Sequence, residues 1–289
     1  MDRLVEYAVD KHVARLTLNS PHNRNALSTT LVNQLHQGLH DAAADPAVRA
    51  VVLGHTGNTF CAGADLRGDR EGGAAGRSGS PPSASEGSAT KPFQGADPAE
   101  MAAGRARQMA ALLRAIVESP LPVIVAVDGH VRAGGMGLVG ACDIAVAGPR
   151  STFALTEARI GVAPAIISLT LLPKMSARAA ARYYVTGETF DATTAAAIGL
   201  ITIAVNTEAD VDAAVASLVA DIRRASPQGL AASKALTTAA ILDGFDRDAE
   251  RLTAESARLF VSDEAREGML AFLQKRAPQW ATDQGSDTV

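Results

Sequence analysis

Two glycine-rich turns and one glutamate are the residues whose types and spacing could do chemistry in this chain. The first turn is Phe60-Cys61-Ala62-Gly63-Ala64-Asp65-Leu66, launched by the apolar Ala50-Val51-Val52-Leu53. The second is Ala133-Gly134-Gly135-Met136-Gly137, launched by Val123-Ile124-Val125-Ala126-Val127. Small residues at strand-to-helix turns let a ligand approach backbone N–H groups. Two such turns facing one pocket would hold an oxyanion between two donors, here the N–H groups of Ala64 and Gly134. A carbonyl that becomes an enolate develops that charge, and losing one donor costs roughly 3–4 kcal/mol in known cases. A helix beginning near Gly135 would add its positive dipole end. A single glycine turn reads first as tight backbone geometry; the pair, in this order, reads as a site.

Glu157 follows Ser151-Thr152-Phe153 in a short turn leading to Ile160-Gly161. In an apolar pocket its pKa would rise, which suits proton transfer near neutral pH; the alternative is a surface ion pair with Arg159. His130 reads as a packing or hydrogen-bonding residue and Asp143 as a structural partner. Asp65 reads as a cap for a helix after the first turn. Cys61 and Cys142 stand far apart in apolar contexts and read as buried thiols, with neither metal-ligand spacing nor a disulfide framework. No metal, flavin or nicotinamide motif is present, and Gly134-Gly135 lacks the G-x-G-x-x-G spacing of a dinucleotide turn.

These groups need elements to hold them. Leu4–Val9 and Val13–Leu18 alternate as strands about Asp10-Lys11-His12. Ser28 is placed to cap a helix reaching about Ala44, and a strand near Arg49–Gly54 feeds the first turn. From about residue 68 to 98 the composition shifts to Gly, Ser, Ala and Pro without apolar periodicity, which predicts a mobile insertion, either passive or an active-site lid. Helix resumes from about Ala99 to Glu118. Val123–Val127, a short helix to about Ala141 and a strand at Ile144–Ala147 follow. Ser176 and Asp191 are placed to cap helices on Ala177–Val185 and Ala192–Ile198, and Leu200–Val205 reads as a last strand. Helical spacing then recurs in Val211–Ile222, Leu230–Leu242, Leu252–Phe260 and Met269–Phe272. Strand–helix alternation with near-continuous apolar strands predicts an α/β fold whose parallel sheet is covered on both faces.

With 289 residues, 47% of them hydrophobic, the chain can bury a sizeable core. A net charge of −4 provides no basic field for nucleic acid. No run of about 18 apolar residues predicts a membrane span. The start, Met1-Asp2-Arg3, shows no signal-peptide core, so a cytoplasmic location is expected.

In combination the motifs resemble the crotonase, or enoyl-CoA hydratase/isomerase, family. The matching stretches are Asn25-Ala26-Leu27, the first turn, and Val127-Asp128-Gly129 through Gly134-Gly135 to Ala141-Cys142-Asp143-Ile144. They continue in Phe153-Ala154-Leu155-Thr156-Glu157, Gly161, Pro164, Thr186-Gly187, Ala197-Ile198-Gly199-Leu200 and Glu267 to Arg276. The resemblance implies a crotonase spiral of repeated β-β-α units over residues 1–205. A helical C-terminal region over 206–289 would drive assembly as a homotrimer or dimer of trimers. It implies an acyl-CoA substrate, with coenzyme A part of the substrate and no separate cofactor. The thioester oxygen would sit between the N–H groups of Ala64 and Gly134, with Glu157 as acid/base. Coenzyme A would lie near Arg24, Ala26, Ala62, Asp65 and Leu66, with Phe272 and Lys275 approaching the nucleotide; Arg24 and Lys275 read equally as solvated surface charges.

One departure stands out. Hydratases of this family usually hold a water between two glutamates, and the first of these matches Gly137, which can neither take nor give a proton. The run Leu155 to Ser168 resembles a subgroup lacking that glutamate, similar to hydratases of branched glutaconyl-CoA esters. Arg132, expected in the loop before the second turn, could meet a second carboxylate on such a substrate or simply stand exposed. Hydration of a 2-enoyl-CoA, a lyase reaction, leads this reading. An isomerase using one carboxylate, thioester hydrolysis and a non-catalytic acyl-CoA-binding protein are the alternatives.

Overall fold

The computed structural model describes residues 2–65 and 97–281. The predicted insertion lies outside the described residues up to position 96, as does Leu66. In chain order the elements are β1 (Val5–Asp10), β2 (Val13–Leu18), α1 (Thr29–Ala44), β3 (Ala50–His55), β4 (Thr59–Cys61), α2 (Pro98–Glu118), β5 (Val123–Val127), β6 (His130–Arg132) and α3 (Gly134–Ala141). There follow β7 (Ile144–Ala147), β8 (Thr152–Ala154), α4 (Ser168–Leu171), α5 (Ala177–Thr186), β9 (Phe190–Asp191), α6 (Ala192–Ala197) and β10 (Ile203–Ala204). The described chain then continues in α7 (Glu208–Arg224), α8 (Pro227–Phe260) and α9 (Asp263–Gln274).

The strands form two sheets. The larger has the order β1-β2-β3-β5-β7-β10, antiparallel only between β1 and β2. The smaller has the order β4-β6-β8-β9 and is parallel except between β8 and β9. Consecutive strands therefore alternate between sheets: β3 then β4, β5 then β6, β7 then β8, the first two pairs each followed by a long or short helix. This is the expected spiral of β-β-α units.

Local signals account for the helix starts. The Ser28 hydroxyl accepts from the Leu31 N–H, Ser176 from Ala179, and Asp191 from Thr194; each satisfies one of the donors that a helix leaves unpaired at its N-terminus. The central strands are buried on both faces, which is why they lack polar alternation. Val51, Leu53, Val123, Val125 and Val127 join the main core, whereas Val52, Ile124 and Val146 join a second cluster with Val211 and Val215 of α7.

Two expectations change in detail. Leu230–Leu242 and Leu252–Phe260 are one helix, α8, because Ile241, Phe245 and Leu252 keep the apolar face running through Gly244. The last strand shrinks to Ile203–Ala204, paired with Val146 and Ala147.

A buried ion pair anchors α8. Lys234 Nζ lies 2.8 Å from Asp143 Oδ2 and donates to the Ile116 and Leu121 carbonyls at 2.8 and 3.0 Å. Asp143 also accepts the Val123 N–H at 2.7 Å, the structural partnership expected of it. One ammonium thus joins α8 to the C-terminal end of α2 and, through Asp143, to β5. No helix among the described residues is long and apolar enough to cross a membrane.

Candidate active site

The first turn is fixed by a strap at residues 24–27. Asn25 is fully buried; its Oδ1 accepts the Ser20 N–H at 2.7 Å, and its Nδ2 donates to the Thr56 and Thr59 carbonyls at 3.1 and 2.8 Å. Those bonds hold Arg24 and Asn25 at φ 59° and 52°. Ala62 N–H then donates to Arg24 O, Leu27 N–H to Gly63 O, and Asp65 N–H to Leu27 O. In this parallel bridge the residue between the bonded ones, Ala64, turns its own N–H away from the strap. That N–H meets no acceptor among the described residues.

The second turn is strained. Ala133, the residue before α3, has φ 46° and ψ −119°, a region that favours glycine and costs an alanine on the order of 1–3 kcal/mol. Its N–H donates to Ala154 O at 3.4 Å, its carbonyl accepts the Met136 N–H at 2.8 Å, and the intervening Gly134 N–H meets no acceptor among the described residues. The turns are in contact. A Cβ on Gly63 would lie 2.9 Å from the Ala133 Cβ, and one on Gly135 2.6 Å from the Cys61 Cβ. Cys61 is buried and accepts the Gly63 N–H at 3.3 Å; burial pushes its thiol up to about 12, so it stays neutral. The Cys142 thiol, likewise buried and raised, donates to Leu138 O.

Glu157 opens a short 3-10 turn, Glu157–Ile160, three residues after the Ala154 that holds Ala133. It is 8% exposed, its Oε2 is buried without a hydrogen-bond partner, and desolvation pushes its pKa up to about 7. The alternative pairing with Arg159 is not formed: that guanidinium donates to Thr186 O at 3.2 and 2.9 Å. Helix α9 packs against the same 3-10 turn.

The position of the missing carboxylate is closed. A Cβ on Gly137 would lie 2.5 Å from Ile167 Cγ2, 2.9 Å from Ile167 Cβ and 3.4 Å from Leu113 Cδ1. The Thr170 hydroxyl donates to the Gly137 carbonyl at 3.0 Å, drawing α4 onto α3. Gly137→Ala is expected to cost about 1–3 kcal/mol through overpacking. Ile167→Ala in the same chain should cost less than the two single changes added together. Urea unfolding of the four chains measures the coupling; additive losses would mean that Ile167 does not fill the position.

Arg132 belongs to β6 rather than to a loop, and its guanidinium donates to Val131 O, Thr152 O and Thr152 Oγ1 at 2.7–2.9 Å. Desolvation lowers its pKa. These bonds turn the guanidinium onto β8. His130 Nδ1 lies 2.8 Å from Thr152 Oγ1, a hydrogen-bonding role. Arg24 is exposed, Ala26 is buried, and Ala62 and Ala64 are exposed. Asp65 is half-buried, and the helix it is expected to cap lies outside the described residues. Phe272 is 63% exposed on α9, and Lys275 ends that helix at φ 55°. No hydrogen bond or ion pair among the described residues joins Phe272 or Lys275 to the strap. Tyr184, on a helix packed against the Glu157 turn, carried no functional signal, and Asn25, Ala133 and Ile167 were visible only as members of matched stretches, with no role of their own. An aliphatic or aromatic residue in an apolar run reads as packing, and backbone strain at an alanine leaves no trace in composition.

A family model described as enoyl-CoA hydratase/isomerase matches residues 13–287. The crystal structure of an enoyl-CoA hydratase from Mycobacterium avium is 68% identical, covering 97% of this chain and 100% of its own, with a TM-score of 0.83. That of an enoyl-CoA hydratase from Mycobacterium smegmatis is 29% identical, covering 97% and 100%, with a TM-score of 0.69. The Bacillus subtilis protein named "Probable enoyl-CoA hydratase" is 29% identical over 96% of this chain and 98% of its own. With its two apposed turns on a β-β-α spiral and a match along nearly its whole length, this chain belongs to the enoyl-CoA hydratase/isomerase family.

Proposed function

We propose that this chain adds water across the double bond of a 2-enoyl-CoA thioester, with Glu157 as its main acid/base. The observation that carries this reading is the buried Glu157 carboxyl, whose Oε2 has no hydrogen-bond partner among the described residues and whose pKa is raised to about 7. Near neutral pH both protonation states are populated, so one group can take a proton and return it. The ionised carboxylate removes a proton from water as oxygen bonds to C3. The electron pair of the double bond moves onto the thioester oxygen, where the N–H groups of Ala64 and Gly134, which meet no acceptor among the described residues, stabilise the enolate. Glu157 then returns the proton to C2. One carboxylate serving both carbons delivers hydrogen and hydroxyl to the same face.

Coenzyme A, as part of the substrate, is assigned to Arg24, Ala26, Ala62, Asp65 and Leu66, with Phe272 and Lys275 toward the nucleotide. A homotrimer or dimer of trimers is the proposed assembly. The resemblance of Leu155–Ser168 supports a branched glutaconyl-CoA ester as the acyl class. The closure of the Gly137 position by Ile167 favours a second reading, an isomerase that moves one proton between C2 and C4.

A mass-spectrometric turnover panel of crotonyl-CoA, longer 2-enoyl-CoAs, 3-methylglutaconyl-CoA and a 3-enoyl-CoA separates them. A mass gain of one water establishes hydration. A shifted double bond at constant mass establishes isomerisation and overturns the leading reading. Release of free coenzyme A thiol would mean hydrolysis, and binding without turnover would mean a non-catalytic acyl-CoA-binding protein.

A further inference from the structure

Among the described residues three buried polar side-chain atoms have no hydrogen-bond partner: His55 Nδ1, Glu157 Oε2 and the Tyr184 hydroxyl. His55 belongs to the corner between β3 and β4, where its Nε2 accepts the Asp128 N–H. The other two share one neighbourhood. Helix α5, which carries Tyr184, packs against the 3-10 turn that carries Glu157, and the carboxylate acts electrostatically on the phenol. The neighbouring Tyr183 has a packing role, its ring 4.1 Å from that of Phe190. A buried tyrosine hydroxyl ordinarily finds a partner, as does a buried carboxylate oxygen. Two unmatched groups on elements packed against each other are accounted for if a third polar body reaches both.

We propose that the Tyr184 hydroxyl is the second hydrogen-bonding group for the reacting water, in place of the carboxylate that Ile167 excludes from position 137. The water gives one hydrogen to Glu157 Oε2 and the other to the phenol oxygen, which aims its lone pair at C3. Tyr184 moves no proton: the proton leaving water goes to Glu157 and from there to C2. This inference rests on the hydratase reading above.

The test is Tyr184→Phe in the full chain, a change that removes one oxygen and keeps the ring. Two reactions are followed: hydration of the 2-enoyl-CoA that the wild-type chain turns over, and exchange of the C2 proton of butyryl-CoA in deuterated water. Exchange needs Glu157 and the two N–H groups but no attacking water. The expected result is a kcat for hydration about 10- to 100-fold lower, the equivalent of one hydrogen bond to a developing charge. KM should stay within about twofold, and exchange should be unchanged. Hydration equal to wild type, or hydration and exchange falling together, overturns the assignment. Glu157→Gln separates the two layers. If both reactions survive that change, or if the wild-type chain exchanges without hydrating, the hydratase reading itself has failed and this inference falls with it.

Discussion

Glu157→Gln is expected to abolish turnover and, above neutral pH, to make the protein more stable. The loss of activity should be about 10²–10⁴-fold in kcat, the range for removing a positioned acid/base group. The gain in stability follows from burial. The folded state holds Glu157 at a pKa of about 7, against 4.5 for the free side chain, because desolvation penalises its charged form. Between those values the folded protein binds more of this proton than the unfolded chain, so stability falls as pH rises. The contribution of the neutral carboxyl is fully present below about 4.5 and is lost as pH passes about 7. At roughly 1.4 kcal/mol per pH unit, ionising this group costs the fold about 3 kcal/mol at pH 8. Glutamine has the same shape and no charge, so most of that cost should disappear. Urea unfolding of both chains at pH 5 and pH 8 measures it. The difference between them should open at the higher pH and be small at the lower one. Equal stability at pH 8 would mean that water reaches the carboxylate. In the wild-type chain, kcat/KM for hydration should fall below about pH 7, as the base protonates.

Lys234→Met should lower stability by about 3–5 kcal/mol, the cost of leaving one member of a buried ion pair behind. Methionine keeps the apolar stem and removes the ammonium. Asp143 then retains only the Val123 N–H, and the Ile116 and Leu121 carbonyls lose their donor. Ile116 lies in the last turn of α2, where carbonyls have no partner within the helix. Chemical denaturation at pH 7 reads the loss. Adding Asp143→Asn should recover part of it, because the double change removes the orphaned charge. A loss under about 1 kcal/mol would mean that Asp143, whose side chain is 17% exposed, is satisfied by solvent. Burial lowers the Lys234 pKa and the Asp143 charge opposes that shift; removing Asp143 alone should therefore leave a lysine that sheds its proton more easily.

Much of the architecture was legible because its signals are local. Ser28, Ser176 and Asp191 mark helix starts through hydroxyl or carboxylate groups acting three residues ahead. The apolar runs at 50–53 and 123–127 read as strands covered on both faces, and they are. The two turns and Glu157 were visible and, with the other matching stretches, carried the family, and the glycine at 137 was visible as the departure from it. The smaller sheet was not. Its strands, β4, β6, β8 and β9, have two or three residues each, too few to show alternation, and they exist because neighbours far apart in sequence supply their partners. The unity of α8 was likewise hidden, since helical spacing was seen only in Leu230–Leu242 and Leu252–Phe260, and the burial of Phe245 between them joins the two.

By itself the sequence determined which residues could do chemistry: a single carboxylate, two turns able to present N–H groups, and a position without its acid. Tertiary structure alone decided their condition. Arg159 turns to Thr186 and leaves Glu157 without an ion pair, Ile167 occupies the space beside Gly137, Arg132 is spent on Thr152 of β8, and the helix of Tyr184 packs against the turn of Glu157. Each outcome is a choice of neighbour among residues 20 or more positions apart. Such choices are made by close packing and desolvation, which act between elements rather than along the chain.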